Sequence, residues 1–148
     1  MNNYLHENDR TFFNHAKACA KGKPCIEKLS ALLFCALALE ARLNISGAHH
    51  IDCWEHLEKE LSPTKKLEML NCKLSLGFSK GCEPWQTFTK IFKTRNVLVH
   101  LKIDQGQMPT SAELSEIPMP LWQTELSKFD LPDTLEKTKN ILVAMKDR

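Results

Sequence analysis

The stretch CIEKLSALLFCALALEARLNISG, residues 25–47, decides the fold. It shows no strict alternation of apolar and polar residues. Instead Ile26, Leu29, Leu33 and Leu37 recur at helical spacing, so the segment reads as a helix from about Cys25 to Ile45 with an apolar stripe. Gly22-Lys23-Pro24 stops whatever precedes it. Ser46-Gly47 closes it, and Gly47 suits a left-handed C-terminal cap. Continued along the helix, the same stripe runs through Glu40 and Asn44, which puts a carboxylate where a core residue is expected.

Working outward, the rest of the chain also reads as helical. A weak segment covers Asp9 to Lys21. A short one from Asp52 to Leu61 ends at Ser62-Pro63, which is also a start signal for a helix from Pro63 to Leu76, stopped at Gly77. Gly81-Cys82-Glu83-Pro84 is a turn, and Pro84 opens a helix running to about Lys102. Asp104 to Pro120 holds Gly106, Pro109, Pro118 and Pro120 and reads as a long loop. Two amphipathic pieces follow, Pro120 to Lys128 and Pro132 to Lys146. Glycine is scarce, and no repeat or low-complexity tract interrupts the pattern. The expected fold is all-α, an up-and-down helical bundle in one domain over residues 1–148, with its core between about 25 and 147.

The 148 residues suit one compact domain, and 43% hydrophobic content is enough to build a core. A net charge of +2 makes no case for a nucleic-acid partner by itself, so any such contact would need a local patch. Met1 to Arg10 lacks the apolar core of a signal peptide, and the apolar run Leu29 to Leu39 is too short to span a bilayer. A cytoplasmic protein without a membrane partner is therefore expected. In that compartment Cys19, Cys25, Cys35, Cys53, Cys72 and Cys82 are expected to be thiols, most of them buried as small hydrophobes.

The polar cluster Arg95-Asn96-Val97-Leu98-Val99-His100 lies on the helix opened by Pro84. At about 100° per residue, Phe88 and Val99 fall within about 40° of Arg95, and Ile91, Phe92 and Leu98 within about 60°. Arg95 therefore sits in the middle of the apolar face. Asn96 and His100, four residues apart, share the margin of that face, with Trp85 at a similar angle. A buried guanidinium and a buried carboxylate are each costly alone. Arg95 is thus expected to meet Glu40 across the helix interface, with Asn44 bonding the same cluster. Such a pair can be purely structural, and His100 can be a satisfied core histidine. Fully buried, the pair predicts that Glu40→Ala destabilises the fold by about 3–5 kcal/mol.

This six-residue motif resembles the signature of HEPN-domain proteins: an arginine, a polar residue, a few further residues and a histidine. Ser30 to Asn44 is similar to the first long helix of many members, and Ser62-Pro63-Thr64-Lys65-Lys66-Leu67 to the start of a following helix, so the resemblance covers about Lys28 to Lys102. It implies a bundle that dimerises with two copies of the motif facing one cleft. It also implies a metal-independent endoribonuclease, of the kind found among toxins and defence proteins, or a protein that binds RNA or nucleotides without cleaving. A cognate antitoxin is then a further expected partner.

The chemistry is coherent in its own right. Metal-free RNA cleavage uses the 2′-hydroxyl as internal nucleophile. It needs a proton shuttle near neutral pKa, which suits His100. It also needs a cation on the phosphate, which suits the fork of Arg95. Asn96 would position, and Glu40 and Asn44 would support Arg95. No cofactor and no metal is required. A metal reading of His49, Cys53 and His56 rests on their sharing one helical face. The alternative to an enzyme is a non-catalytic helical dimer, an interaction module whose Arg95 and Glu40 only pack and whose loop 103–120 binds.

Overall fold

The computed structural model describes residues 10, 12–14, 16–17, 26–99 and 125–146. His100, the expected 103–120 loop and most of the expected Pro120 to Lys128 segment lie outside these residues. Five helices are bounded: α1 (Ile26–His50), α2 (Trp54–Leu57), α3 (Pro63–Leu74), α4 (Trp85–Val99) and α5 (Leu131–Lys146). The described residues of the 10–17 segment and residues 125–127 are also helical, and no strand occurs among the described residues. The fold is all-α, as expected.

α1 is the central element. It packs against α3, α4 and α5, and α4 packs on α5. Leu32, Cys35, Leu39 and Leu43 of α1 are almost fully buried, and meet Leu67 and Leu70 of α3, Phe88 and Ile91 of α4, and Ile141 of α5 in one cluster. Ala31, Ala36 and Ala38 are buried among them, and small side chains let neighbouring helices approach α1 closely.

The core stripe of α1 is not the one expected. Leu39 marks its centre, and Leu33 and Leu37 lie about 120° and 160° away from it. Leu33 is half-buried and Leu37 is 44% exposed. The sequence offers apolar residues around much of this helix, so periodicity alone selected the wrong face. Glu40, about 100° from Leu39, falls on the margin rather than in the centre.

α1 also runs past its expected end. Gly47 is inside the helix, and Ile51 N–H still donates to its carbonyl at 2.9 Å. Its bare Cα instead makes room for Trp54: a Cβ built there would lie 2.2–2.4 Å from the indole carbons. The uninterrupted α1 is long and apolar enough to cross a membrane by length and composition, but 56% of its apolar window is buried inside the bundle.

Local signals fix the remaining ends. Ser62 Oγ accepts from Lys65 N–H at 3.4 Å with Pro63 in the first turn of α3, as read from the sequence. α3 closes at Ser75, in the left-handed region at φ 51, two residues before the expected stop at Gly77. The Asn71 side chain makes this possible, bonding both N–H and carbonyl of Phe78 at 2.9 and 2.8 Å. α2 is a single turn rather than the whole of Asp52 to Leu61. Glu83 begins α4 by accepting from Thr87 N–H at 3.1 Å, and ties it to α5 through Lys137 at 3.1 Å. Lys137 also bonds Asp133 at 2.7 Å, and these bonds, that to Asp133 foremost, raise its pKa.

Candidate functional site

Arg95 lies on the core-facing stripe of α4, within about 20° of Phe88. It is nevertheless only partly covered, because burial fades along the helix. Phe88, Ile91 and Thr94 are at most 1% exposed, Val97 and Leu98 are half-buried, and Val99 is 60% exposed. Arg95 therefore sits where the buried stripe ends. Its side chain keeps 26% of its exposure. Asn96, the next residue, is exposed. Trp85 shares the angular position of Asn96 only nominally: it is buried in the first turn of α4, about 16 Å away along the axis.

The expected ion pair forms. Arg95 Nη2 donates to Glu40 Oε2 at 3.1 Å, joining α4 to α1, and Glu40 keeps 34% side-chain exposure. Glu40 is on the rim of α1 for the reason given above, so the pair is half-exposed rather than buried. The other contact of the guanidinium was not anticipated. Arg95 Cζ stands 5.4 Å from the centre of the Phe92 ring, within cation–π range. The signal was available, since positions 92 and 95 are three apart and share a helical face.

Asn44 does not join this cluster. Its Oδ1 accepts from Lys66 Nζ of α3 at 2.7 Å. Lys66 is 3% exposed and also stands over the Trp54 ring at 5.8 Å. The ammonium is thus held by a neutral amide and an aromatic face. Asn44 is spent on it, one turn of α1 beyond Glu40. Trp54, with Gly47 against its ring, is itself buried with Nε1 unpartnered.

Two expectations about soft side chains are corrected. Of the described cysteines only Cys35 is buried; Cys53, Cys72 and Cys82 are exposed, because they fall in turns or on the outer face of α3. Burial pushes the Cys35 thiol up to about 11, partly offset by the Thr138 hydroxyl on α5, which has no conventional partner of its own. His49, Cys53 and His56 do not share a helix face. His49 is in the last turn of α1, Cys53 is in the left-handed region at φ 58, and His56 is on α2 beside Glu55. The chain turns at Cys53, and no group of three His, Cys, Asp or Glu residues gathers to hold a metal among the described residues.

Among the described residues, the surface recesses lie away from Arg95. One of about 510 Å³ is lined by His50, Ile51, Asp52, Met69, Cys72 and Lys73, none of them on α4. A second, of about 310 Å³, lies against the start of α4 and is lined by Phe78, Glu83, Pro84 and α5 residues. What the described part of the motif offers is a partly exposed guanidinium at the edge of the bundle, its charge offset by Glu40. That guanidinium is held from below and from one side, with the exposed Asn96 about 100° round the helix. That arrangement can bind an oxyanion such as a phosphate. No protein family, curated protein or solved structure matches the chain.

Proposed function

We propose that this protein handles RNA phosphates: a HEPN-like, metal-independent endoribonuclease acting as a cytoplasmic homodimer. The observation that carries the reading is the half-exposed Arg95, held at 3.1 Å by Glu40 at the edge of the bundle with Asn96 exposed next to it. The partial exposure of Arg95 leaves its guanidinium within reach of a ligand, where a fully buried arginine would be closed off. Arg95 would bind the scissile phosphate and stabilise the charge that builds on it. Asn96 would position a phosphate oxygen. His100, next in the motif, would exchange the proton between the attacking 2′-hydroxyl and the leaving 5′-oxygen. The second acid/base would come from the second copy, and a cognate antitoxin would be the partner of such a toxin.

Incubation of wild type with several RNAs in the presence of a chelator tests this. Cleavage to 2′,3′-cyclic phosphate and 5′-hydroxyl ends is expected, and His100→Ala should abolish it without changing helicity or dimerisation. Equal inertness of both proteins sinks the enzyme reading. It would favour the non-catalytic module, for which the exposed Val99 and Leu37 are apolar contact points for another chain.

A further inference from the structure

We infer that Phe92 is a positioning residue that, together with Glu40, seats Arg95 as a preorganised fork for a phosphate group. Phe92 is 4% exposed and is fixed from behind by Phe88, with ring centres 4.7 Å apart and planes tilted 45°. Its orientation is therefore set by the core. The guanidinium carbon lies 5.4 Å from its ring centre, and one guanidinium nitrogen bonds one oxygen of Glu40. The two contacts are of different kinds. The ring supports the cation without using any of its N–H donors. Glu40 uses a single nitrogen and fixes the rotation about the ring. A guanidinium carries several further donors in a rigid plane, and among the described residues only Glu40 accepts from Arg95.

The consequence is entropic. A free surface arginine loses much side-chain freedom when it binds an anion, whereas one already held in place loses little. The cost of the arrangement is charge: Glu40 offsets the positive field of Arg95, so the site gains geometry rather than attraction at a distance. Such a fork favours a tetrahedral oxyanion presenting two oxygens, which is a phosphate or phosphodiester, over a spherical anion such as chloride. The choice of phosphodiester as ligand rests on the proposed RNA chemistry; the seating of the guanidinium does not.

Nitrogen-15 relaxation of the arginine side chains, with inorganic phosphate as the probe, separates the two. In the wild-type protein the Arg95 Nε–H should be as ordered as the backbone of α4, and millimolar phosphate, but not chloride, should shift it. Phe92→Leu should mobilise this group and weaken phosphate binding about 3- to 10-fold, while Phe92→Tyr, which keeps the ring, stays within about 2-fold of wild type. Arg95→Lys should lose binding although it keeps the charge. A wild-type Arg95 as mobile as a free surface arginine overturns the inference without any variant. So does an unchanged Arg95 in a folded Phe92→Leu protein. An ordered, phosphate-shifted Arg95 in a protein that cleaves no RNA would uphold the seat and reject the nuclease. RNA cleavage that depends on His100 with a mobile Arg95 would do the reverse.

Discussion

At the scale of single residues, exposure decides what the Glu40–Arg95 pair contributes. The sequence places both groups on apolar stripes, which implies full burial and a loss of about 3–5 kcal/mol on removing one partner. In the structure 26% and 34% of the two side chains stay accessible. Solvent then screens the charge left behind, so Glu40→Ala should cost only about 1 kcal/mol in urea unfolding. A loss above about 3 kcal/mol would mean that the pair is dry in solution. Cys35 provides a second residue-scale test. Its folded pKa, about 11, lies above the ordinary thiol value of 9.0, so the folded state holds its proton longer than the unfolded chain does. The associated stability is intact below about pH 9 and is lost as pH rises towards about 11. Wild type should therefore lose more stability than Cys35→Ala between pH 8.5 and 10.5. Under native conditions at pH 8, iodoacetamide should label Cys53, Cys72 and Cys82 and spare Cys35 until the chain unfolds.

At the scale of elements, the joints between helices carry the clearest dependence on pH. Burial would raise the Glu83 pKa, but the bonds from Thr87 and Lys137 outweigh it and the net shift is downward. Glu68 is lowered too, by hydrogen bonds first from Lys80 and then from Lys65. Carboxylates with depressed folded pKa values contribute stability above their ordinary range and lose it as pH falls through the lowered value. Glu83→Gln should therefore flatten the fall of thermal stability in acid, most visibly below about pH 4.5, and loosen α4 against α5. An unchanged acid limb would mean the joint adds nothing. The same elements show what the sequence made legible. Ser62-Pro63 announced α3 because a cap and a first-turn proline act within three residues of themselves. The end of α1 stayed hidden because Gly47 answers to Trp54, a ring that only the folded chain brings against it. The faces of α1 stayed hidden for a related reason. With leucines around most of the helix, the neighbours choose the buried side, and no sequence period records that choice.

At the scale of the whole molecule, one helix organises the bundle. Because α1 touches α3, α4 and α5, the site and the core share a scaffold: Glu40 reaches Arg95 from the same helix whose Leu39 and Leu43 are fully buried. The all-α class was readable from patterning alone. The pair Glu40 with Arg95 was anticipated, but from a stripe of α1 that is not its buried face; Glu40 meets Arg95 from the margin of the core. The third expected member of the site, Asn44, was misassigned because the charge that claims it, Lys66, is on α3, a helix whose packing on this edge of α1 no local rule announces. At this scale the expected outcome is a dimer by light scattering at micromolar protein. Val99→Glu, placed on the most exposed apolar residue of α4, should shift it towards monomer with little change in helicity. A monomeric wild type would sink the homodimer.

The contact of Gly47 with Trp54 also constrains how this sequence can drift. Any side chain at position 47 collides with the indole, so that position is not free to vary while 54 remains tryptophan. The permitted route runs through position 54 first: once a smaller residue stands there, alanine at 47 becomes acceptable. Lys66 would then have lost the ring it stands over and would be under pressure to change as well. Descendants of this chain should therefore carry 47, 54 and 66 as a linked set, inherited or replaced together.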